Sequence, residues 1–290
     1  MDKSYLLCYN EQSVFISYHD FLLSDKKEII TMREFFGFGG YQRQAEGFLS
    51  WQHLLFVTSL MILMVLLAVI LGKKNRLQSL AVKNRVMIAT ALLIDGLELF
   101  KIVLCCIRAE DPLNWLHNLP LFLCSIQLIA IPMAAFTKGR LEEASLDFVC
   151  IFGILGAVLG TYGAGQNYNA YPVLGFDNVV SGLTHSISGF ASLYILISGM
   201  ASMKKKNIGI TFSILLSFCA AAFVANHLVD YNYMFLRAGD GTPYDILYNL
   251  VGGNPVLYPM CVIALFLVYI LVYYWVYFAI TNRKKAKAAV

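Results

Sequence analysis

Residues 48–76 read FLSWQHLLFVTSLMILMVLLAVILGKKNR. Between Leu54 and Leu71 only Thr58 and Ser59 interrupt the apolar run, and the run stops on Lys73, Lys74 and Arg76. About 20 such residues cross a hydrocarbon core of about 30 Å as a helix. Only a helix satisfies its own backbone hydrogen bonds in lipid. The same reading applies further along the chain and predicts spans over 50–71, 86–107, 119–137, 146–164, 183–203, 208–230 and 255–281. The expected fold is therefore all-α: a polytopic membrane protein with seven transmembrane helices in one bundle over 35–281.

Composition agrees. Charged residues make up 14% of the 290 and hydrophobic residues 59%, and mean hydropathy is +0.65. Soluble domains carry roughly 25% charged residues. The net charge of +4 does not point to nucleic acid, because its distribution follows the expected topology. The segments GKKNRLQSLAVKNR, TKGR, KKKN and TNRKKAK hold most of the Lys and Arg. The alternate loops, around RAEDPLNWLHN, GQNYNAYPVLGFDN and YNYMFLRAGDGTPYDILYNLVGGN, hold one Arg, none and one Arg. The positive-inside rule then puts the N-terminus outside and a basic tail, 282–290, in the cytoplasm. A plasma-membrane, multi-pass location follows as the expectation.

Seven cysteines are scattered, with no CxxC pair or metal-finger spacing, and read first as small packing residues. Cys8 with Cys105 or Cys106 is a candidate disulfide on the outer side. Gly156 and Gly160 in GILGAVLG have the spacing that lets helix backbones approach closely.

Depth sorts the polar residues. His53 lies near the outer surface, and Asp95 and Glu98 near mid-membrane with Lys101 above them. His117 and Asn118 sit just outside the third span, and Cys124 and Gln127 one turn apart in its outer half. His185 opens the fifth span with Ser188 one turn below. Asn226, His227 and Asp230 close the sixth on what the i,i+3 and i,i+4 spacings make one helical face, followed by Tyr231 and Asn232. Ionisable groups inside a membrane are expensive and face the bundle interior when they occur. Their concentration in the outer halves predicts a polar pocket open to the outer side. Bland readings stand beside this one. Asp95, Glu98 and Lys101 also suit a structural ion network, His53 an interfacial anchor beside Trp51, His117 a solvated loop residue and Cys124 core packing.

The stretches FLSWQHLLF, NLPLFLCSIQLI, LTHSI and NYMFL followed by GNPVLYP resemble the bacterial YwaF-like integral membrane family, over about residues 35–281. Animal relatives of that superfamily resemble TMEM-type ether-phospholipid acyltransferases that use a Cys and a His, so the resemblance implies lipid acyl transfer. In this chain the usual His of the third-span motif is Phe122. The animal nucleophile sits beside that His, nearer Leu121 than Cys124.

Two function classes emerge. One is an enzyme on lipid, an acyltransferase or hydrolase with Cys124 as nucleophile, a base among His117, His185 and His227, and Asp230 orienting it. Its catalytic set is Cys124, His185, His227 and Asp230. Its pocket set is His53, Glu98, Lys101, His117, Gln127, Asn226, Tyr231 and Asn232. No cofactor is expected; the lesser variant is a zinc hydrolase using His117, His185, His227 and Asp230. The other class is a non-catalytic binding, sensor or accessory subunit of a lipid or cell-envelope system. The partners expected are the bilayer and a lipid substrate. A transporter lacks inverted repeats with interrupted helices, and a channel lacks a charged ring or filter.

Met32 opens MREFFGFGGYQRQAEGF, after a mixed-charge stretch without the order of a signal peptide. Residues 1–34 are thus expected to be a weakly ordered extension, with the native start at Met32. Mass spectrometry of the native protein is expected to begin at Met32; an intact Met1 would end this reading.

Overall fold

The computed structural model describes residues 32–201 and 203–288; residues 1–31, and with them the Cys8 pairing, lie outside it. Among the described residues the chain is all-helical, with no strand. In chain order the helices are α1 (Met32–Phe35), α2 (Trp51–Asn75), α3 (Leu80–Ala109), α4 (Gln127–Phe136), α5 (Arg140–Tyr162), α6 (Gly165–Ala170), α7 (Phe176–Ser198), α8 (Ile208–Leu228), α9 (Asp245–Leu250) and α10 (Leu257–Ala288). Residues 282–288, expected as a separate tail, continue α10.

Five stretches are helical, long and apolar enough to cross a membrane: Trp51–Asn75, Arg140–Ala170, Phe176–Ser198, Lys205–Leu228 and Leu257–Asn282. This is a multi-pass membrane protein. The two remaining runs differ from the expectation in informative ways. α3 is 30 residues long, but Asp95, Glu98 and Lys101 interrupt its apolar surface. α4 has only 10 residues, where the apolar run predicts a span over 119–137. Pro120 holds Leu119 extended at φ −62°, ψ 146°, as the residue before proline prefers. Ser125 Oγ then occupies the Phe122 N–H at 2.9 Å, and the chain turns until Gln127 before a regular helix begins. Non-helical backbone at this depth is tolerated where it lines a cavity rather than lipid.

Side-chain oxygens start the first two long helices. Ser50 accepts from His53 N at 3.2 Å and Ser79 from Val82 N at 3.4 Å, each satisfying one otherwise orphan N–H. α5 is the central helix, with every residue from Ala144 to Gly153 buried. It meets α7 through small residues. A Cβ on Gly153 would stand 2.6 Å from Ser188 O and 2.8 Å from Ser192 Cβ, and Ser192 Oγ donates to Cys150 O at 2.7 Å.

Asp147 is fully buried on α5. A carboxylate there is tolerable only if hydrogen-bonded. It accepts from Met203 N (2.8 Å), Asn207 Nδ2 (3.0 Å) and Tyr274 OH (2.9 Å), tying α5 to the start of α8 and to α10. At the opposite end of the bundle, residues after α1 form a strap. Phe35, Phe36 and Phe38 pack with Leu104, Phe176 and Val180 on α3 and α7.

Replacing Asp147 with Ala leaves three buried donors without an acceptor, each costing about 1–3 kcal/mol. Asp147→Ala is expected to destabilise the detergent-purified protein by about 3 kcal/mol or more, measured by denaturation with a helical signal. A change below about 0.5 kcal/mol, the scale of an ordinary surface substitution, would refute the clamp.

Candidate active site

The turn that delays α4 places Cys124 at the helix entrance, beside α5. Its Cβ lies 3.5 Å from where a Cβ on Gly156 would be. His185 comes from α7. That helix begins at Phe176, not at 183, so His185 sits more than two turns inside it rather than at its start. A Cβ on Gly160, one turn beyond Gly156, would overlap His185 Cδ2 and Nε2. The imidazole therefore lies flat against bare backbone. The two glycines expected for packing form the floor under a thiol and an imidazole.

The thiol and imidazole are hydrogen-bonded and electrostatically coupled to one another. His185 Nδ1 donates to Ser181 O at 2.7 Å, which commits the ring proton to Nδ1. Nε2 is left as the acceptor for the Cys124 S–H. A thiol with an adjacent base is the arrangement of an activated nucleophile, and the carbonyl of Ser181 takes the orienting place that a carboxylate holds in a triad.

Cys124 and His185 open on a cavity of about 630 Å³, within the usual range for ligand sites. Glu98, Lys101, His117 and Tyr231 of the expected pocket set line it. The lysine-rich connections lie at the other helix ends. Lys101 pairs with Glu98, and His117 rests edge-on against Tyr231 at 5.4 Å.

Sequence reasoning missed a second ion pair in the same wall. Arg108 NH1 and NH2 donate to the two carboxylate oxygens of Asp177, both at 2.7 Å, and Tyr41 OH donates to Asp177 Oδ2 at 2.6 Å. Burial, then Asp177 itself, pushes the Tyr41 phenol well above its usual range. The strap is thereby latched over one side of the cavity. A signal existed: Arg108 is the one cation in its loop, and Asp177 stands in a loop with no cation. In sequence both read as loop charge.

Other expected residues go elsewhere. His53 is fully buried but outside the cavity. Its Nδ1 accepts from Leu49 N at 3.1 Å and its Nε2 donates to Thr161 O at 3.1 Å, tying α2 to α5. Asn226 is buried and clasps the Tyr233 backbone, donating to its O at 3.0 Å and accepting from its N at 2.6 Å. That clasp fixes the rotation of α8, and His227, the next residue around, is turned outward and exposed. α8 ends at Leu228, so Asp230 does not continue the face of Asn226. It lies in a left-handed turn (φ 51°), with its side chain 90% exposed and bound to Arg237 at 2.6 Å. His227 and Asp230 thus leave the catalytic set. Asn232 holds the same loop together through Ala238 O at 2.8 Å. Gln127 is fully buried with neither amide atom partnered.

The zinc set is divided by the same rotation: His117 and His185 face the cavity, His227 and Asp230 do not. Among the described residues no three His, Cys, Asp or Glu side chains gather as a metal site. The residues do not fit the zinc variant.

A family model described as the TMEM164 family matches residues 48–281. No curated protein and no solved structure matches the chain.

Because Gly160 has no room for a methyl group, Gly160→Ala is expected to displace the His185 ring and slow alkylation of Cys124 by iodoacetamide about 10-fold or more. This lies at or below the range for loss of a general base. Gly96, which has no neighbour within 4 Å of a Cβ, is the control: Gly96→Ala is expected to alkylate at the wild-type rate. Equal rates in Gly160→Ala and wild type would contradict the assigned ring position.

Proposed function

The chain belongs to the TMEM164 family, a family of membrane proteins, and from that premise we propose that it is a membrane acyltransferase that moves an acyl group between lipids through Cys124. The observation that carries the reading is the Cys124–His185 pair, with the imidazole proton held at Nδ1 by Ser181 O. The resemblance of NLPLFLCSIQLI and NYMFL to the YwaF-like family, whose animal relatives resemble ether-phospholipid acyltransferases, supports the same chemistry. The lysine distribution supports a plasma-membrane protein with seven crossings and this cavity on the outer side.

In the reaction, His185 Nε2 takes the thiol proton and the Cys124 sulfur attacks the carbonyl carbon of a donor ester. The carbonyl electron pair moves to oxygen and returns as the ester C–O bond breaks. The leaving alkoxide takes the proton from His185, giving an acyl thioester and a free alcohol. An acceptor hydroxyl then loses its proton to Nε2 and attacks the thioester carbonyl. The sulfur leaves as thiolate and is reprotonated by His185. Attack by water instead gives hydrolysis, so exclusion of water decides between transfer and hydrolysis. Phe122 and Tyr231, whose ring centroids are 6.2 Å apart, stand in the cavity wall and supply apolar cover.

The cavity suits a zwitterionic headgroup. Its two carboxylates, Glu98 and Asp177, are matched by Lys101 and Arg108, so its charged wall is balanced. A substrate of high net charge would face one uncompensated sign.

Alkylation of the purified protein tests the pair directly. A thiol probe is expected to label wild type at Cys124 and to spare Cys124→Ala. His185→Ala is expected to label about 100-fold more slowly, the lower range for a general base, and His227→Ala at the wild-type rate. Lipids extracted from a deletion strain are expected to show a changed acyl-chain distribution. Folded wild type that resists the probe at Cys124, with an unchanged lipid profile, would sink the acyl-transfer reading and leave the cavity as a ligand-binding site.

A further inference from the structure

The entrance to α4 holds groups that the thiol–imidazole pair does not use, and the role they take rests on acyl transfer through Cys124. The backbone N–H groups of Cys124 and Ser125 are directed at the Cys124 sulfur. Among the described residues neither donates to a backbone carbonyl. α4 presents the positive end of its dipole here, where helix N–H groups favour an anion. Such an end is common and signifies little alone. Gln127 makes this one different. Its side chain is fully buried, and both Oε1 and Nε2 lack a partner.

A buried amide left unpaired destabilises a fold, whereas an apolar side chain of the same shape would not. Nothing in the packing of α4 explains why a Gln stands there. Its position supplies a reason. Helical side chains lean toward the N-terminus and cover the turn three to four residues before their own Cα. The Gln127 carboxamide is therefore carried back toward Cys124, the residue at i−3. Cys124, Ser125 and Leu128 line the cavity on either side of it in sequence.

We propose that Cys124 N–H, Ser125 N–H and the Gln127 amide form an oxyanion-binding site for the acyl carbonyl. As the sulfur–carbon bond forms, the carbonyl π pair moves onto oxygen, and the three N–H donors hold that charge. As the C–O bond to the leaving alcohol breaks, the pair returns to the carbonyl and Gln127 is released. The unpaired state of Gln127 is then the resting state of a donor whose partner exists only during reaction. Donors already in place at a developing charge lower the barrier without reorganisation.

The full-length protein in detergent is tested with p-nitrophenyl octanoate, which acylates a reactive thiol with a burst of p-nitrophenol, and separately with iodoacetamide. Alkylation by iodoacetamide displaces iodide and builds no oxyanion, so it reads the thiol–imidazole pair alone. Gln127→Met keeps the length of the side chain and removes the donor. The expected result is acylation slowed about 100-fold, in the range for loss of one oxyanion donor, with alkylation within about 2-fold of wild type and an equal or higher Tm. Acylation at the wild-type rate in Gln127→Met overturns the oxyanion site and leaves acyl transfer standing. Acylation and alkylation that fall together also overturn it, because Gln127 is then only packing. Wild type that alkylates but gives no burst overturns the acyl-transfer reading, and this site with it.

Discussion

Where α5 passes α4 and α7, glycine replaces side chain at Gly153, Gly156 and Gly160, and backbone and ring come into direct contact. Water cannot drive helices together within a membrane, because lipid tails are as apolar as the side chains they would release. Packing at short range and interhelical hydrogen bonds do it instead. The close seam is therefore both the adhesive of the bundle and the mould for the site. The His185 ring takes the volume that Gly160 leaves, and Cys124 takes the place beside Gly156. A bulkier stripe on α5 would move both groups outward and separate them.

The delayed start of α4 completes the arrangement. Had residues 119–126 been helical, Cys124 would sit on a regular helix with its N–H groups spent on internal bonds. Pro120 and the Ser125 hydroxyl prevent that. The cost of irregular backbone is met by the cavity that it lines, and the same turn leaves two N–H groups free to face the sulfur. Charge in the wall follows one rule throughout. Each carboxylate is held against a cation, Glu98 by Lys101 and Asp177 by Arg108, because breaking a partly buried pair leaves an uncompensated ion, at a cost of about 3–5 kcal/mol when fully buried.

The loop after α8 is held in an expensive conformation. Asp230, Met234, Phe235 and Asp240 all have φ between 51° and 55°, a region that non-glycine residues avoid at a cost of about 1–3 kcal/mol each. Asn226 clasps the Tyr233 backbone, and the Tyr233 hydroxyl donates to Leu116 O. Those bonds fix the loop against the turn that precedes α4 and bring Tyr231 to the cavity beside Phe122 and His117. The polar character of NHLVDYNYMFL thus serves to position an aromatic wall rather than to supply catalytic groups.

Apolar run length and the alternation of lysine-rich connections were sufficient for a multi-pass helical bundle, since both depend on local composition that no packing can change. The concentration of polar groups toward one end was legible for the same reason: depth follows chain position once helices are assigned. Rotation about each helix axis was not. Asn226 and His227 are adjacent in sequence and similar in polarity, yet a clasp to Tyr233, seven residues away, turns one inward and the other out. The i,i+4 pairing of Asn226 with Asp230 presupposed a helix that ends at Leu228. His185 and Cys124 meet only because Gly160 and Gly156 on a third helix make room for them. Chain-local chemistry settles what can enter a membrane and how deep it lies. Which side chains face one another is settled by close packing between segments distant in sequence, where the loss or gain of a single methyl group decides.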